Sequence, residues 1–204
     1  MANVGGLIFG SDQPEVDDGA DNTTYCMGTK FSSDIAGKIT QIHWRSPLNS
    51  PGGYNSAVLP IKAQLWKFDE NAIVGSGTFT SLLGNQWEHL TVDWDIEPGV
   101  NYMYSIITDR YTATPHYFDS PITSGHITAP TSAGKFRDQG ISIELTVPPS
   151  DSFNAGGYFL DFDFVPASSG LLVSVWNGTS ELEVESVSVW NGTSEVPAVV
   201  DSVV

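Results

Sequence analysis

Strict alternation of apolar and polar residues is the feature that most restricts what this chain can become. In Lys38-Ile-Thr-Gln-Ile-His-Trp-Arg45, Thr40, Ile42 and Trp44 fall on one side and Gln41, His43 and Arg45 on the other. In Tyr158-Phe-Leu-Asp-Phe-Asp-Phe-Val165, Leu160, Phe162 and Phe164 alternate with Asp161 and Asp163. A period of two marks a strand with one face on a core and the other in water. Both runs predict strands, with His43, Asp161 and Asp163 on the wet face. Ile141-Ser-Ile-Glu-Leu-Thr-Val147 alternates in the same way and predicts another. No window of 11 or more residues carries a clear helical period. The chain reads as all-β.

Further strand-like runs fall at 24–31, 61–68, 72–80, 87–94 and 100–107, with a short apolar run Leu7-Ile-Phe9 at the start. Turn chemistry separates them: Asp69-Glu-Asn71, Gly84-Asn85 and Glu97-Pro-Gly99. Short strands at close intervals are the pattern of a sandwich or barrel. The expectation is an antiparallel, jelly-roll-like β-sandwich over 25–166. An acidic arm (1–24) precedes it, and a linker with a strand-turn repeat (167–204) follows. The loop 46–60 is rich in Pro, Gly and Asn and long for a hairpin, a length that goes with function or flexibility. The stretch 108–140 reads as loop, with Tyr111, Tyr117 and Phe118 as packing anchors.

Eight basic residues against 24 acidic ones give a formal charge of −16. Nucleic-acid binders neutralise phosphates with Lys and Arg, so such a partner is excluded, and anionic membrane surfaces are disfavoured on the same ground. No apolar stretch approaches the roughly 20 residues that span a bilayer. Cys26 is alone, so there is no intrachain disulfide, and the residue reads as a small buried hydrophobe. The opening Met-Ala-Asn-Val-Gly-Gly-Leu-Ile-Phe-Gly lacks the basic start of a signal peptide. The expectation is synthesis in the cytoplasm without export by the usual route.

Beyond the linker, Val173-Ser-Val-Trp-Asn-Gly-Thr-Ser-Glu181 recurs letter for letter as Val187-Ser-Val-Trp-Asn-Gly-Thr-Ser-Glu195. Asn-Gly between β-prone runs favours a hairpin, because both central residues of a type I′ turn need positive φ. Isolated hairpins are marginal in water, so these units must dock on the sandwich, on each other across subunits, or on a partner. Val175, Trp176, Asn177, Gly178, Val189, Trp190, Asn191 and Gly192 are the expected contact residues.

Gly28-Thr-Lys-Phe31, the run 33–40, Leu65-Trp66, Gly77-Thr-Phe79, Trp87, Pro98-Gly99, Asn101-Tyr102, Tyr104-Ser105, Tyr117-Phe118 and Gly157-Tyr-Phe-Leu-Asp-Phe-Asp-Phe164 occur in that order. This set resembles a bacterial domain of unknown function, a β-sandwich of large surface proteins and phage tail proteins, over about residues 25–165. The 46–62 segment departs from it in being longer and carrying prolines. The resemblance brings no catalytic residues. The tandem repeat is similar to short repeats ending minor tail and other virion proteins of phages infecting actinobacteria. Together these imply a non-enzymatic virion structural protein: a minor tail, tail-tip or fibre, or capsid decoration protein. It would assemble with other virion proteins as a homo-oligomer, a trimer being one symmetric form. The alternative is a carbohydrate-binding adhesion module that recognises a surface glycan.

Candidate chemistry is sparse. Five carboxylates lie between Ser11 and Asn22 with no Lys or Arg among them, and Asp17, Asp18 and Asp21 could hold calcium through oxygen donors. Their spacing matches no EF-hand loop, so a solvated acidic loop is the simpler reading, and no other cofactor is implied. His43, His89, His116 and His126 show no close metal-ligand spacing. His116, Asp119 and Ser120 lack the context of a hydrolase nucleophile. Asn22, Asn177 and Asn191 head glycosylation-type triplets that read better as turns.

Overall fold

The computed structural model describes residues 7–144 and 146–167, together with strands at Val173–Trp176 and Glu181–Val184. It is all-β, and every named strand pairing is antiparallel. Contacts divide the chain after Pro166. Within the first unit, strands β1 (Val16–Gly19) to β12 (Leu160–Pro166) make three sheets among the described residues.

The largest sheet runs β5 (Ala72–Phe79), β4 (Ile61–Lys67), β7 (Asn101–Thr108), β2 (Thr24–Ser33), β10 (Ile127–Ala129), β9 (Ile122–Ser124). Its seventh strand, β11 (Gly134–Gly140), also pairs with β2, covering the 24–29 end while β10 takes Ser32 and Ser33. A second sheet runs β12–β3–β6, with β3 at Gly37–Arg45 and β6 at Trp87–Ile96. The short β1 pairs with β8 (Tyr111–Ala113).

The two larger sheets face each other in a sandwich-like arrangement. Phe31 of β2 meets Phe162 of β12 at 4.3 Å between ring centres, Trp94 meets Tyr104 at 6.3 Å, and Thr29 Oγ1 donates to the Leu160 carbonyl at 2.8 Å. Ile42 and Trp44 of β3 are buried on this inner side, and Ile39 joins them only through a register shift between Ile39 and Gln41, which leaves Thr40 half-buried. At the rim, Gly75 of β5 lets Trp94 of β6 lie flat on the strand, since a Cβ there would stand 2.7 Å from the indole Nε1. Cys26 is fully buried, as expected of a small hydrophobe.

Three expectations fail, each for a physical reason. Asp161 and His43 are not on a wet face: both are buried, Asp161 under residues 7–12, which turn back along β12, and His43 against His89 of β6 with Asp163 at 3.1 Å. Asp161 accepts hydrogen bonds from the amides of Ile8 (2.9 Å) and Phe9 (2.7 Å) and from its own neighbour Phe162 (2.8 Å). Leu7-Ile-Phe9 forms that turn rather than a strand, so the acidic segment is built into the fold through Phe9 and β1. The alternating run from Ile141 forms no strand in its described residues. Gly140, at φ +59°, ends β11, and Ile141 is 77% exposed beyond it. Conversely, 108–140 contains β8 to β11 rather than plain loop.

The 46–60 loop is ordered by one side chain. Asp109, 1% exposed, accepts from the amides of Gly52 (2.7 Å), Tyr54 (2.8 Å) and Asn55 (2.9 Å). Asn55 then caps a single 3-10 turn, Ser56–Val58. Asp109→Ala is expected to cost about 2–3 kcal/mol, because charge-assisted bonds are lost and the donors must be resolvated. Urea unfolding checks the loss, and limited proteolysis should place new cleavage within 50–59.

In the second unit, β13 (Val173–Trp176) pairs with β14 (Glu181–Val184) in the register Trp176↔Glu181. Four residues separate the paired ends, where a two-residue turn at Asn177-Gly178 would leave two. Asn177, Gly178, Val189, Trp190, Asn191 and Gly192 lie outside the described residues.

Candidate functional site

Beside β2 and β11 of the large sheet and the short β1–β8 pair, aromatic side chains from distant parts of the chain wall a pocket of about 390 Å³. Tyr25 and Met27 come from β2, Phe136 from β11, Tyr111 from β8, and Tyr158 from the residues just before β12. Register explains the first three: Phe136 stands opposite Met27, one side-chain step from Tyr25 on the same face. Asp21, Val16, Ala113, Pro115, Gly156 and Phe153 complete the lining. Tyr158 and Met27 are buried, whereas Phe153 is 64% exposed at the lip.

Four of the rings form a closed circuit. Tyr25–Tyr111, Tyr111–Tyr158, Tyr158–Phe136 and Phe136–Tyr25 have centroid separations of 5.8, 6.3, 6.4 and 6.0 Å, with interplanar angles of 88°, 83°, 65° and 76°. Each wall stands nearly square to the next. Asp21 Oδ2 accepts from both Tyr25 Oη (3.1 Å) and Tyr111 Oη (2.9 Å) at the rim. Burial, and next the Asp21 carboxylate, pushes the Tyr25 phenol up to about 12, and burial first also raises Tyr111. Burial takes Tyr158 to about 12. The three phenols are therefore neutral near pH 7, and the pocket's charge is that of Asp21.

Two of the three acidic residues singled out for calcium make hydrogen bonds to other side chains. Asp18 accepts two hydrogen bonds from Arg110 Nη1, both at 2.9 Å, and also takes the Asn49 amide. Asp21 serves the pocket, and Asp17 sits on β1. Among the described residues no three His, Cys, Asp or Glu side chains converge on a cation position. His116 Nδ1 lies 3.2 Å from Asp119 Oδ1, with both side chains more than 60% exposed.

Two histidines without close sequence spacing do meet. His43 and His89 stand directly opposite on β3 and β6, with Nδ1 atoms 2.6 Å apart. His43 Nε2 is 3.1 Å from Asp163 Oδ1, but off the hydrogen-bond direction. Burial pulls His43 below the ordinary histidine range, against Asp163, which favours the charged ring. A depressed folded-state value means stability that is present above the unfolded value near 6.5 and is lost as pH falls through the folded one. His43→Gln should remove that loss. Its urea midpoint at pH 5.5, measured against pH 7.5, should stand higher than the same comparison gives for the parent chain. An unchanged comparison would rule this out.

The pocket was not visible in the sequence. Tyr111 stood out only as an anchor, Tyr25 and Tyr158 only as strand residues, and Phe136 lay in a stretch read as loop. An aromatic at each of several strand ends is the one signal present, and it acquires meaning only with the pairing.

No curated protein matches the chain. A family profile described as "Domain of unknown function (DUF4082)" matches residues 11–160. That span takes in the acidic segment from Ser11, all four rings of the circuit and the start of β12, well over half of the sequence. The chain belongs to the DUF4082 family.

Proposed function

We propose that this chain is a non-enzymatic binding and display protein, in which a jelly-roll-like sandwich presents the aromatic pocket to a small ligand. The observation that carries this reading is the pocket itself. Its volume of about 390 Å³ falls in the range of small-molecule sites, and its walls are apolar with one convergent carboxylate. The lining holds neutral phenols, phenyl rings and a thioether, with no nucleophile set beside a base. A virion is the carrier we favour, as a minor tail, tail-tip or fibre, or capsid decoration protein. Its support is the similarity of the tandem repeat to phage virion repeats. Val175, Trp176, Val189 and Trp190 would then dock on a neighbouring virion protein or on copies of this chain in a homo-oligomer. Deleting residues 171–204 tests the carrier: truncated protein that still enters particles at the parent level would sink the assembly role. Retention of labelled full-length protein on host envelopes tests the pocket, and Tyr25→Leu should abolish it.

A second reading, a glycan-binding adhesion module of a bacterial surface, is favoured by Phe153. Its exposed ring at the lip offers the flat apolar face on which a sugar can stack. A glycan array with the full chain and with Phe153→Ala separates the readings, and silence across host wall polysaccharides would remove this one.

A further inference from the structure

We infer that the four-ring pocket is a cage for a quaternary ammonium group of the choline type, with Asp21 as its counter-charge. The assignment rests on reading the pocket as a ligand site and names the ligand's chemistry. In a square of four walls, each standing across the next, a central cation lies closer to each ring centroid than adjacent centroids lie to one another, by a factor of the square root of two. For a square of this kind, adjacent separations of 5.8 to 6.4 Å correspond to a centre about 4.3 Å from each centroid, inside the roughly 6 Å reach of a cation–π contact. The protein holds its own such contact at the same spacing, with Lys30 Nζ 4.4 Å from the Phe68 centroid.

Charge and hydrogen bonding select among cations. No Lys, Arg or His lines the pocket, and the chain carries −16 overall, so a cation is drawn in. A primary ammonium needs acceptors for three N–H donors, and the acceptors among the lining side chains are the Asp21 carboxylate and the phenol oxygens, while the ring faces and the Met27 side chain suit a cation without donors. A trimethylammonium carries no N–H donor and can leave water for ring faces. Asp21 is placed to complement it from the rim. Both phenol protons go to Oδ2, which orients the two hydroxyls toward the carboxylate. The other carboxylate oxygen takes neither phenol proton.

The test is calorimetric titration of the full chain, at fixed ionic strength, with choline chloride and with its uncharged isostere 3,3-dimethylbutan-1-ol. Choline should bind saturably and at least tenfold more tightly than the isostere. Tyr25→Leu, which removes a wall, should weaken choline at least tenfold. Tyr25→Phe keeps the wall and should weaken it less than threefold, which separates loss of the cage from loss of the fold. Asp21→Asn should weaken choline severalfold and leave the isostere unchanged. Phosphocholine binding as tightly as choline would point to a headgroup or polymer source, whereas choline alone would point to the free compound. Equal binding of choline and isostere, or glycan binding with none of choline, overturns the cation assignment and leaves the pocket a ligand site. If choline, isostere and glycans all fail to bind, the binding reading falls with it.

Discussion

Asp161→Ala is expected to lower the unfolding free energy by about 3–5 kcal/mol. The change orphans buried amides, each costing about 1–3 kcal/mol when left without an acceptor, less what relaxation recovers. The donors are Ile8, Phe9 and Phe162, and the first two hold the N-terminal turn against the outer face of the β12–β3–β6 sheet. Phe9 should then lose its stacked contacts with Tyr117 and Phe159, both at 4.6 Å. The measurements are a urea midpoint and amide exchange at residues 8–10, which should turn fast in the variant. A variant unfolding at the parent midpoint would refute the anchor.

The same carboxyl carries a pH signature. Burial, only partly offset by the Phe9, Ile8 and Phe162 amides, pushes Asp161 up from 3.8 to about 6. The folded state therefore holds this proton more tightly than the unfolded state does. Its contribution is complete below about pH 4 and is lost as pH rises through about 6, a change of up to about 3 kcal/mol. His43 acts in the opposite sense, losing stability as pH falls below about 6.5. The two buried groups stand opposite one another in the β12–β3 register. Between pH 4 and 6 their slopes should cancel in part in the parent chain and appear singly in Asp161→Asn and His43→Gln.

These two residues mark where reading the sequence stops. Alternation assigned Ile42, Trp44, Leu160 and Phe162 to the core, and all four are buried. It equally assigned His43 and Asp161 to water, because a period of two records which side a residue faces and not what else covers that side. The cover of Asp161 comes from residues 7–12, about 150 positions before it, and His43 meets His89 of the neighbouring strand. The 141–147 run fails differently. Its residues suit a strand, but β11 ends at a left-handed glycine just before it, and a strand without a partner cannot satisfy its amides. The pocket is further still from the sequence. Tyr25 and Phe136 become neighbours only through the β2–β11 register, and Tyr158 joins them only after residues 151–157 have folded against β11.

That last dependence leads to the second large effect, Gly134→Ala. A Cβ on Gly134 would lie 1.7 Å from the Gly156 carbonyl oxygen and 2.9 Å from its carbon. The obstacle is main chain, so no rotamer change relieves it. Either β11 leaves its place on β2 or the 153–157 turn moves away. Overpacking costs about 1–3 kcal/mol where side chains can adjust, and a loss of at least about 3 kcal/mol is expected where they cannot. The turn is fixed on both sides, by the Thr114–Gly157 bridge and by the Phe136–Asp151 bridge, so its displacement must disturb Phe136 and Tyr158 together. Near-UV circular dichroism should therefore lose tyrosine signal along with the urea midpoint. Gly53→Ala is the control, because its nearest contact would be Arg110 Nε at an ordinary 3.5 Å, and it should shift neither reading. If Gly134→Ala weakens the fold yet leaves choline binding at parent affinity, the cage walls do not depend on the β11–Gly156 contact. If both are lost together, the close approach of two glycine backbones is what holds the pocket's shape.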